Sequence, residues 1–206
     1  MISAPEALAR LREGNRRFVA GDIAGGPACV QTARKELVDG QAPFAIILGC
    51  SDSRVPAEIV FDQGLGDLFV IRVAGNIVAP SQIGSVEFAA EQFGTRLVVV
   101  MGHTQCGAIS ATLEQLMQPG EAQSPNLRAI VDMIRPSVEH IVKDYRSGDD
   151  GALRAAVRAN IRSSAEQLRH GSDVLEHLIQ NEGLKIVSAE YSLENGVVRF
   201  LDEAES

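Results

Sequence analysis

The chain has 206 residues, 45% of them hydrophobic, which suits one domain with a substantial core. A formal net charge of −8, with no block of Lys and Arg interleaved with aromatics, argues against a nucleic-acid surface. Three cysteines are too few and too unevenly numbered for a secreted disulfide framework, and no apolar run approaches the ~20 residues of a membrane span. The opening residues, Met1-Ile2-Ser3-Ala4-Pro5-Glu6, lack the charged-then-apolar pattern of a signal peptide. The expectation is a cytoplasmic protein whose thiols are free for metal or redox chemistry.

In chain order, Ser3-Ala4-Pro5-Glu6 reads as a capping box. Leu8, Leu11 and Phe18 form the broken apolar stripe of a helix running to about Val19, with Arg10, Arg12, Arg16 and Arg17 on its remaining face. Gly25-Gly26-Pro27 ends this region, and Cys29 follows without a spaced partner, as a small apolar filler. Residues 44–49 and 68–73 read as the first two strands. Ser81 is the expected N-cap of a helix over 82–93, with Gly94 in left-handed conformation at its end. A third strand covers 97–101, and a helix starts at or near Cys106 and runs to Met117. Pro119-Gly120 marks a loop, after which Ser124-Pro125 starts a helix. Its stripe runs Leu127, Ile130, Ile134, Val138, Ile141 as far as Tyr145, with Pro136 kinking or splitting it. Further helices cover 151–169 and, opened by Ser172, the stretch to Gly183. A strand at 185–190 is followed by the hairpin signal Asn195-Gly196 and a short return strand at 197–201.

Helices alternate with apolar strands, and the strand runs are continuous rather than alternating. This pattern predicts an α/β fold whose central, mostly parallel sheet is flanked by helices. No repeat and no linker divides the chain, so residues 1–206 are expected to form a single domain.

Two of the strand runs end alike, each in glycine followed at once by a metal-ligating residue. Cys50-Ser51-Asp52-Ser53-Arg54 follows Gly49, and His103-Thr104-Gln105-Cys106 follows Gly102. Parallel strands bring their C-terminal ends to one edge, where α/β sheets bind ligands. Cys50, His103 and Cys106 therefore converge as three ligands of one catalytic Zn²⁺. Asp52 either supplies the fourth ligand or turns away to pair with Arg54, leaving that position for a water. Singly, each motif is weak: His-x-x-Cys is seldom metal-binding, and Asp52-Ser53-Arg54 alone is an ordinary surface turn. Their joint placement at one sheet edge carries the inference. His140, His170 and His177 lie on helical stretches without companion ligands and are expected to face solvent or cap helices.

The blocks Cys50-Ser51-Asp52-Ser53-Arg54-Val55-Pro56 and Gly102-His103-Thr104-Gln105-Cys106-Gly107-Ala108 resemble those of the β-class carbonic anhydrases. The likeness extends from about residue 11 to 191. It implies one Zn²⁺ per subunit on Cys50, His103 and Cys106, with an Asp52–Arg54 dyad governing the fourth position. It also implies reversible hydration of CO₂ to bicarbonate and a proton by attack of zinc hydroxide. The resemblance further implies a homodimer or dimer of dimers in which N-terminal helices embrace a second subunit and complete its site. On the substrate side it matches Gln41, Phe69, Gly107 and Phe88, the last where plant-like members carry tyrosine. Some bacterial members bind bicarbonate at a regulatory site through a tryptophan, an arginine and a tyrosine. Arg72 and Tyr191 match two of these, but Ile47 replaces the tryptophan and the chain has none, so weak or absent inhibition by that route is expected. The competing readings are COS or CS₂ hydrolysis on the same fold, a Cys50/Cys106 thiol switch, and a purely structural zinc site.

Overall fold

The computed structural model describes residues 2–23, 37–118, 124–143, 145–146 and 148–202. Strands β1 (Ala45–Gly49), β2 (Leu68–Arg72), β3 (Leu97–His103), β4 (Lys185–Tyr191) and β5 (Val198–Phe200) form one sheet in the order β2-β1-β3-β4-β5. The first four are parallel, and β5 runs antiparallel to β4. Every residue of β1 and β3 is buried, which explains why both sequences are uninterrupted apolar runs.

Alternate residues of these strands feed two cores. Ile46, Leu48, Val98 and Val100 face α3 (Pro80–Gln92), α4 (Gly107–Met117), α5 (Pro125–Val138), α6 (Asp150–His170) and α7 (Asp173–Asn181). Ala45, Ile47, Val99 and Met101 face α1 (Ala4–Ala20) and the short α2 (Ala57–Val60). Side chains on a strand alternate between faces, so each run serves both layers.

The expected capping box at Ser3 and Glu6 is present. The face that α1 buries is less apolar than the leucine stripe suggested. Ala4, Ala7, Leu11, Gly14 and Asn15 are buried, while Leu8 and Phe18 are only half-buried. Small residues let the helix approach closely: a Cβ on Gly14 would lie 1.8 Å from the Phe61 carbonyl oxygen. Asn15 donates from Nδ2 to the carbonyls of Val60 and Gly196, at 3.0 and 2.9 Å, and its Oδ1 accepts from Val198 N at 2.9 Å. One buried amide thus pins α1 to α2 and to the hairpin before β5.

Other boundaries move by a few residues for local reasons. Helix α3 begins earlier than expected, with Ala79 rather than Ser81 as N-cap, because Pro80 takes the first helical position. Gly94 does adopt positive φ, at 57°. Strand β3 continues two residues further, since ladder pairing with β4 extends to His103↔Tyr191. Pro136 sits within the last turn of α5, which ends at Val138 instead of reaching Tyr145. Ser124 and Ser172 cap α5 and α7 as expected. Cys29, the break at 25–27 and the loop at 119–120 lie outside the described residues. Among the described residues no helix is long and apolar enough to cross a membrane.

Candidate metal centre

Strands β1 and β3 are adjacent and in register, with Gly49 opposite Met101. Cys50 leaves the end of β1, and His103 closes β3. The chain then turns through Thr104 and Gln105, the latter at φ 55°, to place Cys106 as N-cap of α4. One ligand atom from each of Cys50, His103 and Cys106 lies within 4.8 Å of the others, and all three residues are buried. The expected convergence of two loops separated by some fifty residues is therefore present.

The imidazole is prepared as a donor. His103 Nδ1 lies 2.9 Å from the Thr104 carbonyl oxygen, which can only accept, so Nδ1 carries the proton. That leaves Nε2 with a lone pair, fully buried and, among the described residues, without a hydrogen-bond partner. An orphaned buried nitrogen beside two thiols is costly unless something coordinates it. The donor set suits a borderline-soft cation, and the three residues can hold a metal ion. The thiols themselves are unequal. A hydrogen bond from Cys106 depresses the Cys50 thiol against the effect of burial, with further help from the backbone N–H groups of Asp52 and Gly75. The same bond and burial push Cys106 up. Only one sulfur ionises readily by itself, whereas a dication between them would stabilise both thiolates.

Asp52 and Arg54 form a close, nearly parallel pair. Arg54 Nε donates to Oδ1 at 2.9 Å and Nη2 to Oδ2 at 2.6 Å, and the Arg54 backbone N–H adds a bond to Oδ1 at 3.0 Å. The Arg54 guanidinium holds the Asp52 carboxyl well below the usual carboxylate range. Oδ2 of Asp52 nonetheless lies only 3.8 Å from His103 Nε2, at the edge of the ligand cluster.

Arg72, at the end of β2, donates from Nε to the Cys50 carbonyl at 2.9 Å and from Nη2 to the Asp52 carbonyl at 2.5 Å. A single guanidinium therefore clamps the loop that carries both the first ligand and the carboxylate. The sequence offered no signal for this role, because it depends on which strand lies beside β1. Also unforeseen is the buried Glu190 on β4, opposite Gly102, which accepts from Arg154 and Arg158 of α6.

Three of the four substrate-side residues do not join this cluster within one chain. Gln41 is exposed and precedes β1, at the opposite end of the strand from Cys50. Phe69 pairs with Ile46, four residues before Cys50 and so about 13 Å away along the strand. It packs with Phe93 and with Phe88, which is 51% exposed. Gly107, by contrast, directly follows Cys106, and the space where its Cβ would lie is open. His140, His170 and His177 are exposed, as expected.

Comparison with known proteins agrees with this arrangement. A family model described as carbonic anhydrase matches residues 45–198. Carbonic anhydrase 2 of Mycobacterium tuberculosis is 38% identical over 186 residues, 90% of this chain and 87% of that protein. A carbonic anhydrase of Mycolicibacterium smegmatis is 45% identical over 128 residues, 62% of this chain and 61% of that protein. Among solved structures, the β-carbonic anhydrase CafA of Aspergillus fumigatus superposes with a TM-score of 0.74 at 27% identity, covering 98% of this chain and 92% of that one. With its parallel sheet and its Cys-His-Cys cluster at the strand ends, this chain belongs to the β-carbonic anhydrase family.

Proposed function

We propose that this chain catalyses the reversible hydration of CO₂ to bicarbonate and a proton, with Zn²⁺ held by Cys50, His103 and Cys106. The observation that carries the reading is the meeting of two buried thiols with an imidazole nitrogen that has no other partner among the described residues. When bound, the ion supplies Lewis acidity that brings the ionisation of water toward neutral pH.

The remaining work falls to side chains of this protein. Both oxygens of Asp52 accept from Arg54, so the carboxylate stays ionised and can only accept hydrogen bonds. Oδ2 is the atom placed to accept a hydrogen bond from the attacking water, turning the water's lone pair toward the carbon of CO₂. Arg54 also keeps Asp52 paired rather than ligating, which leaves the fourth position available; exchange of Asp52 between Arg54 and the ion would close it. The missing side chain of Gly107 leaves room for a small linear substrate.

Gln41, Phe69 and Phe88 are assigned to the substrate side of a second copy's site, in a homodimer or dimer of dimers. Their distance from the chain's own Cys50 and the exposure of Gln41 and Phe88 support this assignment. One continuous sheet supports a single domain. The sparse, odd-numbered set of three cysteines favours a cytoplasmic location.

The test is CO₂ hydration by stopped flow, with metal content and thiol titration on the same sample. One zinc per chain, masked thiols and hydration activity are expected. Full zinc loading without hydration would leave a structural site, and reactive metal-free thiols would favour a thiol switch. Parallel assays with COS and CS₂ separate the other hydrolytic reading.

A further inference from the structure

The turn after β2 carries a contact to the cluster that the sequence does not announce. Residues Ala74–Asn76 form a single 3₁₀ turn in which Gly75 is left-handed, at φ 68° and ψ 18°. Asn76 follows it at φ 43°, an unfavourable region for a residue with a side chain. Gly75 cannot be replaced cheaply, since at φ 68° any residue with a Cβ is strained, and that Cβ would also lie 3.3 Å from Ala108 Cβ. This strained turn aims the Gly75 N–H at the sulfur of Cys50, 3.4 Å away.

Outside a hairpin, a non-glycine residue such as Asn76 at positive φ is uncommon and is held by its surroundings. The holding group comes from α6. Asn160, 3% exposed, donates from Nδ2 to the Gly75 carbonyl at 2.8 Å. That carbonyl can only accept, so the amide nitrogen must face it. Ser137 of α5 lies on the other side of the amide, its Oγ 3.4 Å from Asn160 Oδ1 and 2.7 Å from the Ile134 carbonyl. The next residue of α6, Ile161, fills the space above Gly102, where a Cβ would approach it to 2.6 Å. One turn of α6 therefore reaches the neighbours of both Cys50 and His103.

We propose that Asn160 is a positioning residue of the metal centre: by holding the Gly75 carbonyl it fixes the left-handed turn whose N–H bonds the Cys50 sulfur. This rests on the reading of Cys50 as a metal ligand. A hydrogen bond to a ligating thiolate orients the sulfur and draws charge from it, so its loss alters both affinity and the electronic signature of the metal–sulfur bond.

The test uses the metal-loaded protein and its Co²⁺-substituted form, where thiolate-to-cobalt charge transfer reports on the sulfur directly. Asn160→Asp sets an acceptor against the Gly75 carbonyl, and Asn160→Ser shortens the side chain without adding charge, should the first fail to fold. Leu168→Ala, two turns along α6 at a fully buried apolar site, is the control for general loss of stability. Either Asn160 variant is expected to shift the charge-transfer band and to weaken Zn²⁺ binding, measured by chelator competition, by about 10–100-fold. The control should lower thermal stability and move neither readout. A wild-type band with Asn160 variants that leave its position and the zinc affinity unchanged overturns the proposal while leaving the metal site intact. Equal shifts in Leu168→Ala overturn it too. Absence of any thiolate band in the wild type would instead bring down the underlying metal assignment.

Discussion

The loop after β1 and the loop after β3 deliver ligands to one point, yet they are held by different forces. His103 is the last residue of β3, still paired with Tyr191, and Cys106 caps α4. Regular structure on both sides fixes that loop, with a Thr104 N–H bond to the Tyr191 carbonyl at 2.9 Å continuing the ladder. Cys50 has left its strand and enters irregular chain, so its position depends on groups reaching across from elsewhere. Arg72 takes its carbonyl, Gly75 its sulfur, and Arg54 the adjacent carboxylate. A ligand embedded in a ladder needs no further support, whereas one in a loop is only as fixed as the side chains clamping it.

The largest expected effect ignores this difference. His103→Ala or Cys106→Ser should abolish stoichiometric zinc binding and lower CO₂ hydration by at least about a thousandfold, read by metal analysis and stopped flow. Retention of zinc and activity in either would break the comparison at its root. Next, Asp52→Asn should reduce kcat/KM about 100-fold while zinc content stays near one per chain, because the substitution removes an acceptor and not a ligand. Arg72→Ala separates the two loops. It should weaken zinc binding roughly tenfold and raise hydrogen exchange around 50–54, leaving exchange at 103–106 unchanged.

A stability prediction concerns the far side of the β3 loop. Glu190 is buried, which raises its pKa, but hydrogen bonds from Arg158 and Arg154 outweigh burial and the net shift is downward. A depressed folded-state pKa means that the stabilisation is complete above the unfolded value and is lost as pH falls through the folded one. Glu190→Gln should therefore cost about 2 kcal/mol at pH 7, a figure held down because Arg154 is 44% exposed and screened by water. The thermal midpoints of variant and wild type should converge only as pH falls through the depressed folded-state pKa of Glu190, below the ordinary glutamate range. The smallest effect is a near absence. By the family resemblance Ile47 replaces the tryptophan that some bacterial members use, and Arg72 is engaged with two carbonyls, so inhibition of CO₂ hydration by bicarbonate through that route should be weak or absent. Strong cooperative inhibition abolished by Arg72→Ala would show that expectation wrong.

The sequence by itself determined the elements whose chemistry is local. The continuous apolar runs of β1 and β3 required strands buried on both faces, glycine followed by Cys50 or His103 marked their ends, and the close spacing in Asp52-Ser53-Arg54 made an ion pair available. Those signals placed the three ligands at one sheet edge because parallel strands share a direction. Tertiary structure alone decided what surrounds them. Arg72 became a clamp only because β2 lies beside β1, and Asn160 meets Gly75 only because α6 packs across the turn. Asn15 likewise reads as an ordinary polar residue until α1 buries it against three backbone groups. Periodicity records which faces are apolar; it carries no information on which distant carbonyl a buried amide or guanidinium will satisfy, and that choice is made by packing.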